Sequence, residues 1–292
     1  MASTLLWLSV LLQMILIISS GLTIPSDQPS FDQNYAVTWG GNHVSFLNQR
    51  SEVQLSMDQS SGSGFSSKLG YGSGFFHMKI KIPNKDSAGV VTAFYMSSNT
   101  SNHDELDFEF LGNKEGKPIT LQTNIFTNGH GNREQRIYLW FDPTADFHDY
   151  KILWNPYQVA FFVDETPIRV FKNLTSRGVE YPSQAMQIIA SLWDGEDWAT
   201  DGGQTKTNWS QAPFTAQFQG FAVDGCISPP GSSASSCSSP GLWWNAASFR
   251  ELDSSQNTAY QNVRKKYMTY DYCSDKQRFP VLPPECAMQN TR

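Results

Sequence analysis

Cysteine is missing from the first three-quarters of this 292-residue chain, and all four copies, Cys226, Cys237, Cys273 and Cys286, lie in the last quarter. No CxxC pair occurs and no histidine neighbours a cysteine, so the donor set of a structural zinc site is lacking. Histidine is scarce as well, with five copies and no HExxH pair, and the sequence therefore implies no catalytic metal and no cofactor. Charged residues make up only 16% of the chain; the net charge of −6, without a basic patch, argues against nucleic acid as a partner. Internal repeats are absent. The apolar run from Leu5 to Ile18, broken by Ser9 and Gln13, falls short of the roughly 20 residues that a membrane-spanning helix needs.

What is present begins with that run. Followed by Ser19, Ser20 and Gly21, it reads as a secretory signal peptide over residues 1–22, with cleavage between Ser20 and Thr23, although no basic residue stands near Met1. Export predicts a soluble mature protein and disulfide-bonded cysteines. Four cysteines allow three connectivities, and the shortest loops favour Cys226 with Cys237 and Cys273 with Cys286. In an exported chain Asn99, Asn173 and Asn208 head glycosylation sequons. Aromatic residues are plentiful at 13%, which fits a carbohydrate groove where flat rings stack on sugar faces.

From Tyr35 to Val223 short runs rich in β-branched and aromatic residues alternate with Gly, Asn, Asp and Pro. Phe76, Met78, Ile80 and Ile82 alternate with His77, Lys79 and Lys81, the pattern of a strand with one buried face. Further strands are predicted over 90–96, 119–126, 136–141, 157–164, 168–171 and 186–192. Their close spacing, with no helical period between, predicts an all-β sandwich of antiparallel sheets. After Asp224 a Ser/Pro/Gly-rich segment, 228–241, holds Cys237 and reads as a disulfide-pinned loop. Tyr260, Val263 and Tyr267 then recur at helical spacing beside Arg264, Lys265 and Lys266, predicting a short helix or a helix-to-strand passage. We therefore divide the mature chain into a catalytic domain, 23–225, and an extension, 226–292, packed on it.

The run HDELDFEFLGN, residues 103–113, places Glu105, Asp107 and Glu109 at every second position, so a strand would show all three acids on one face. Like charges on one face repel and raise carboxyl pKa values, letting one acid stay protonated while another is ionised. Glycosidic-bond cleavage needs that division. A retaining mechanism needs carboxyl groups about 5 to 5.5 Å apart, whereas Cα atoms four residues apart on a flat strand are about 13 Å apart, so the pattern predicts a curved sheet crossed by a cleft. Asp107, between them, is placed to hydrogen-bond the nucleophile, and His103 is expected to bond a strand neighbour.

This strand and several other motifs resemble those of the plant xyloglucan endotransglucosylase/hydrolase family, within family sixteen of the glycoside hydrolases. The likeness runs through Gln122-Thr123-Asn124, Asn132-Arg133-Glu134-Gln135-Arg136, residues 191–200 (SLWDGEDWAT), Lys206-Thr207-Asn208-Trp209 and Leu282-Pro283-Pro284-Glu285-Cys286. It implies a concanavalin-like β-jelly-roll of two curved antiparallel sheets, with Glu105 as nucleophile, Asp107 as helper and Glu109 as acid/base. It also implies substrate contacts at Gln122, Thr123, Asn124, Asn132, Arg133, Glu134, Trp198, Ala199, Gly203 and Arg264, while Trp193 and Trp198 offer stacking faces. The implied activity is transfer of xyloglucan chains, polymer or oligosaccharide, by a secreted monomer of the cell wall and apoplast. Hydrolysis by the same residues and a non-catalytic lectin-like binder are the alternatives; the stretch 202–210 is similar to the compact loop of the family's transferases, and the acidic triplet disfavours the lectin. One departure is Asn113-Lys114-Glu115, where many members carry a sequon.

Overall fold

A computed structural model describes residues 29–289. The predicted signal peptide and its cleavage point lie outside the described residues. Helix α1 (Phe31–Asn34) leads into strands β1 (Tyr35–Trp39), β2 (Val44–Leu47), β3 (Glu52–Met57) and the long β4 (Ser63–Lys81). Then follow β5 (Val90–Ser97), β6 (Glu105–Leu111), β7 (Thr120–Phe126), β8 (Gln135–Tyr138), β9 (His148–Trp154) and β10 (Gln158–Val163). The set closes with β11 (Thr166–Lys172), β12 (Met186–Asp194), β13 (Phe214–Gln219), β14 (Asp224–Ile227), helix α2 (Ser254–Lys266), β15 (Met268–Asp271) and helix α3 (Pro284–Gln289).

These strands form two layers. One runs β1-β4-β12-β5-β6-β7-β8-β15; the other runs β11-β10-β9-β4 and continues through β13, β14, β3 and β2. Strand β4 belongs to both: residues 63–71 pair with β1 and β12, and residues 71–81 with β9, β13 and β14. The sandwich expected from sequence is thus one continuous hydrogen-bonded ladder folded over on itself, and its corner is made by a strand that changes sheets. Face-to-face packing is seen where Phe108 of β6 meets Phe161 of β10 and Tyr150 of β9 edge-on, at centroid distances of 5.1 and 5.7 Å.

Alternation explains most of these strands. Phe76, Met78, Ile80 and Ile82 are buried, while His77, Lys79 and Lys81 point outward. The amino-terminal half of β4 escaped the sequence reading because Gly and Ser dominate 59–74 and are depleted in strands. Neighbouring chain presses onto it there: a Cβ on Gly72 would sit 2.9 Å from Sγ of Cys237. The predicted strand 136–141 shortens to Gln135–Tyr138, and β1, β2, β3, β9, β13 and β14 were not among the predicted runs.

Beyond β14 the chain returns to the first layer. Helix α2 opens on a capping box between Asp253 and Gln256, buries Tyr260 and Val263, and passes directly into β15, which pairs with β8 at the layer's edge. The helix-to-strand passage is therefore present. Both predicted disulfides form, Cys226–Cys237 and Cys273–Cys286. No helix among the described residues is long and apolar enough to cross a membrane.

Candidate active site

Strand β6 shows the parity that its sequence demands. Leu106, Phe108 and Phe110 are almost wholly buried in the core, which fixes the opposite face for Glu105, Asp107 and Glu109. In-register pairing then surrounds the acids: Ser97, Tyr95 and Ala93 of β5 stand opposite Glu105, Asp107 and Glu109, with Phe126, Asn124 and Gln122 of β7 on the other side. A cavity of about 280 Å³ is lined by all three acids, with Tyr95, Asn124, Phe126, Ser191 and Trp193 among its walls.

Burial is the main influence on the triad. It raises the carboxyl of Glu105, against which the nearby His103 and hydrogen bonds from Ser97 and Asp107 pull down. Asp107 is held well above the ordinary aspartate value by burial, by the charges of Glu105 and Glu109, and by its hydrogen bond to Glu105. Glu109 is raised by burial and by Glu105, while a hydrogen bond from Gln122 opposes the rise. Nε2 of Gln122 donates to Oε2 of Glu109 at 2.7 Å, and Nε of Arg136 donates to Oε1 of Gln122 at 2.7 Å. Nε2 of His103 lies 3.9 Å from Oε2 of Glu105, beyond hydrogen-bond reach, so the bond expected to a strand neighbour is only a loose charge contact. Three crowded acids with opposed supporting groups can hold some protons and release others, which is the requirement for paired acid and nucleophile chemistry.

The sequence of residues 31–211 matches the family model Glycosyl hydrolases family 16, and residues 238–286 match Xyloglucan endo-transglycosylase (XET) C-terminus. The chain is 60% identical over 257 residues to Xyloglucan endotransglucosylase/hydrolase protein 2 of Arabidopsis thaliana, covering 88% of both chains. It is 50% identical to Xyloglucan endotransglucosylase protein 2 of Diospyros kaki over 96% of its own length and 95% of the relative's. Among solved structures, a Bacillus licheniformis beta-glucanase superposes with a TM-score of 0.53 at 24% identity, covering 64% of this chain and 89% of that one, and shares the fold. A Crh5 transglycosylase does so at a TM-score of 0.55 and 21% identity, over 71% and 84%. The chain belongs to glycosyl hydrolases family 16, in its xyloglucan endotransglucosylase/hydrolase group.

The structure separates the remaining residues that the family likeness implied. Gln122 and Asn124 face the acids, but Thr123 between them faces the core, where its hydroxyl accepts from Nη1 of the buried Arg169 at 3.0 Å. Trp193 lines the cavity, and its ring centroid is 6.1 Å from that of Trp198. Trp198 and Ala199 pack with Val91 and Leu111 into an apolar wall on the same face. Gly203 closes that wall's loop at φ 86°, and a Cβ there would fall 2.0 Å from the carbonyl oxygen of Asp197, so only glycine fits.

Asn132, Arg133, Glu134 and Arg264 are engaged by the family's carboxy-terminal segment and do not line the cavity. Arg278 donates to Asn132 at 2.6 Å and to both carboxylate oxygens of Glu134. Arg133 donates to the buried Glu285 at 2.8 Å, and Arg264 to Asp271 at 2.7 Å.

Three residues at the site were missed from sequence. Tyr95 sits opposite Asp107, but the run 90–97 is buried almost throughout, and its polar Thr92 and Ser97 fall on opposite faces and give no parity. Ser97 supports Glu105 for the same reason unseen. Asp104 had a signal: it is the one acid of the motif in the core-facing register, and it is 2% exposed.

Proposed function

We propose that this chain is a secreted xyloglucan endotransglucosylase that cuts the β-1,4-glucan backbone with retention and passes the cut chain to another xyloglucan. The observation that carries this is the acidic triad on one strand face, set in a chain 60% identical to a named xyloglucan endotransglucosylase/hydrolase. In this reading the ionised Glu105 attacks the anomeric carbon as Glu109 gives its proton to the leaving oxygen. Asp107, kept protonated by burial and by its acidic neighbours, donates its hydrogen bond to Glu105 and steadies the anion. Glu109, now ionised, takes the proton of an acceptor hydroxyl, which displaces Glu105 and forms the new glycosidic bond. Domain limits at 23–225 and 226–292 and the placing of the enzyme in the cell wall and apoplast belong to the same proposal.

Transfer rather than hydrolysis is favoured by a braced wall beside the acids. In the loop 202–210, Lys206 pairs with Asp197 at 2.8 Å and Thr205 donates to Asp201 at 2.7 Å. A preformed wall holds the acceptor sugar near the intermediate, where proximity favours it over water. Incubated with xyloglucan and a labelled oligosaccharide acceptor, the purified protein is expected to change polymer size and incorporate label without new reducing ends. New reducing ends in step with size loss would assign hydrolysis; binding without either would assign the lectin-like alternative.

Gln122→Ala gives a second test. Removing the hydrogen bond that opposes the rise of the Glu109 carboxyl raises it further, so the protonated acid persists to higher pH. The alkaline limb of kcat/KM is expected to move up in pH while the maximum falls. An unmoved limb would mean that Glu109 is not the acid.

A further inference from the structure

Trp39 closes β1 at the outer edge of the catalytic layer and leaves 40% of its surface in water. A single exposed indole is ordinary, but its register is informative. Trp39 pairs with Gly64, Gly64 with Ser191, Ser191 with Ala93, and Ala93 with Glu109. Directly opposed residues of an antiparallel sheet share a face, so the row from Glu109 to Gly64 runs outward along the cleft floor. Trp39 follows an irregularity in the β1–β4 register, and its indole lies over the same face of Gly64, about 19 Å from the triad at about 4.8 Å per strand.

The outer part of that floor has no side chains. A Cβ on Gly64 would lie 2.4 Å from Nε1 of Trp39, and one on Gly62 would lie 3.1 Å from its Cη2. The indole therefore rests on glycine backbone, on the face that Ser191 presents to the triad cavity. Its inner side is covered and its outer side is open, as a stacking platform for a flat sugar ring requires. Trp193, two residues beyond Ser191 on β12, stands on the same face and lines the cavity. Two indoles thus stand on the face that carries the catalytic acids, Trp193 at the cavity and Trp39 at the outer edge.

We infer that Trp39 and the bare backbone at Gly62 and Gly64 form a distal subsite for the glucan backbone, at the end of the cleft opposite the carboxy-terminal extension. The inference rests on the proposed function, because the occupant is the same polysaccharide chain that the triad cuts. The continuity of the floor selects that occupant over a partner protein.

The test is calorimetry in a Glu105→Ala background, comparing Trp39 with Trp39→Ala and Trp39→Leu. Xyloglucan oligosaccharides long enough to reach the edge strand are expected to bind about tenfold more weakly to both variants, about 1.4 kcal/mol, while oligosaccharides too short to reach it bind equally. Trp39→Leu keeps an apolar cover on the glycines and should retain the parent melting temperature; Trp39→Tyr should restore most of the affinity. Equal binding of long oligosaccharides, or the same loss for long and short, would overturn the subsite. If the Trp39 parent binds no xyloglucan oligosaccharide of any length, the proposed function fails instead, and the same variants read on an unbranched β-glucan still decide the subsite.

Discussion

Glu105→Ala is expected to lose transfer of labelled oligosaccharide onto xyloglucan by at least about ten-thousand-fold, or about 5.4 kcal/mol of transition-state stabilisation. The size follows from its place in the reaction, since no covalent intermediate forms without that carboxylate, and water cannot preserve the donor's anomeric configuration for an acceptor. Folding should survive. Burial disfavours the charge on Glu105, so removing it relieves the folded state, and the melting temperature is expected to hold or rise. Glu109→Ala separates the roles. A donor with an activated aryl leaving group needs no protonation, so it should form the glycosyl-enzyme in Glu109→Ala and not in Glu105→Ala. Glycosyl-enzyme trapped in Glu105→Ala by mass spectrometry would reverse the assignment.

Asp104→Ala is expected to be the most damaging single change to stability near the site. The Asp104 carboxylate accepts from the backbone N–H of Asn128 at 2.8 Å, Ser183 at 2.6 Å and Gln184 at 2.8 Å. Its own N–H donates to the Ser98 hydroxyl at 3.0 Å. One side chain therefore ties together the β5–β6 hairpin, the turn after β7 and the segment entering β12. Its loss strands amides that cost about 1–3 kcal/mol each, so the total is about 3–5 kcal/mol and the melting temperature falls by roughly 10 °C. Activity should fall with it, because His103 and Glu105 flank the knot directly. Asp104→Asn, which keeps an acceptor oxygen, should recover part of the loss. A melting temperature within 2 °C of the parent, a margin well below the roughly 10 °C expected, would show that these amides find other partners.

The catalytic strand was legible because parity is a local property: three acids alternating with Leu106, Phe108 and Phe110 admit one arrangement. The disulfide pairs and the passage from α2 to β15 were legible for similar reasons of spacing. Less local facts were not. Tyr95 reaches the acids only through the pairing of β5 with β6, and the Gly/Ser half of β4 is a strand only because β1 and β12 flank it. Family likeness places Thr123 among the substrate contacts, yet strand alternation turns its side chain toward Arg169. Family likeness also places Arg133 and Glu134 among the substrate contacts, and only the folded extension shows Glu285 and Arg278 upon them.

Strand β4 carries a consequence for how the molecule comes apart. Because one nineteen-residue strand serves both layers, neither layer has an intact hydrogen-bonded border without the other. The cleft cannot loosen by a hinge between two sheets, so any motion that admits a polysaccharide must come from loops such as 202–210. Heat and denaturant should meet a single cooperative unit in which the catalytic floor melts together with the layer that supports it.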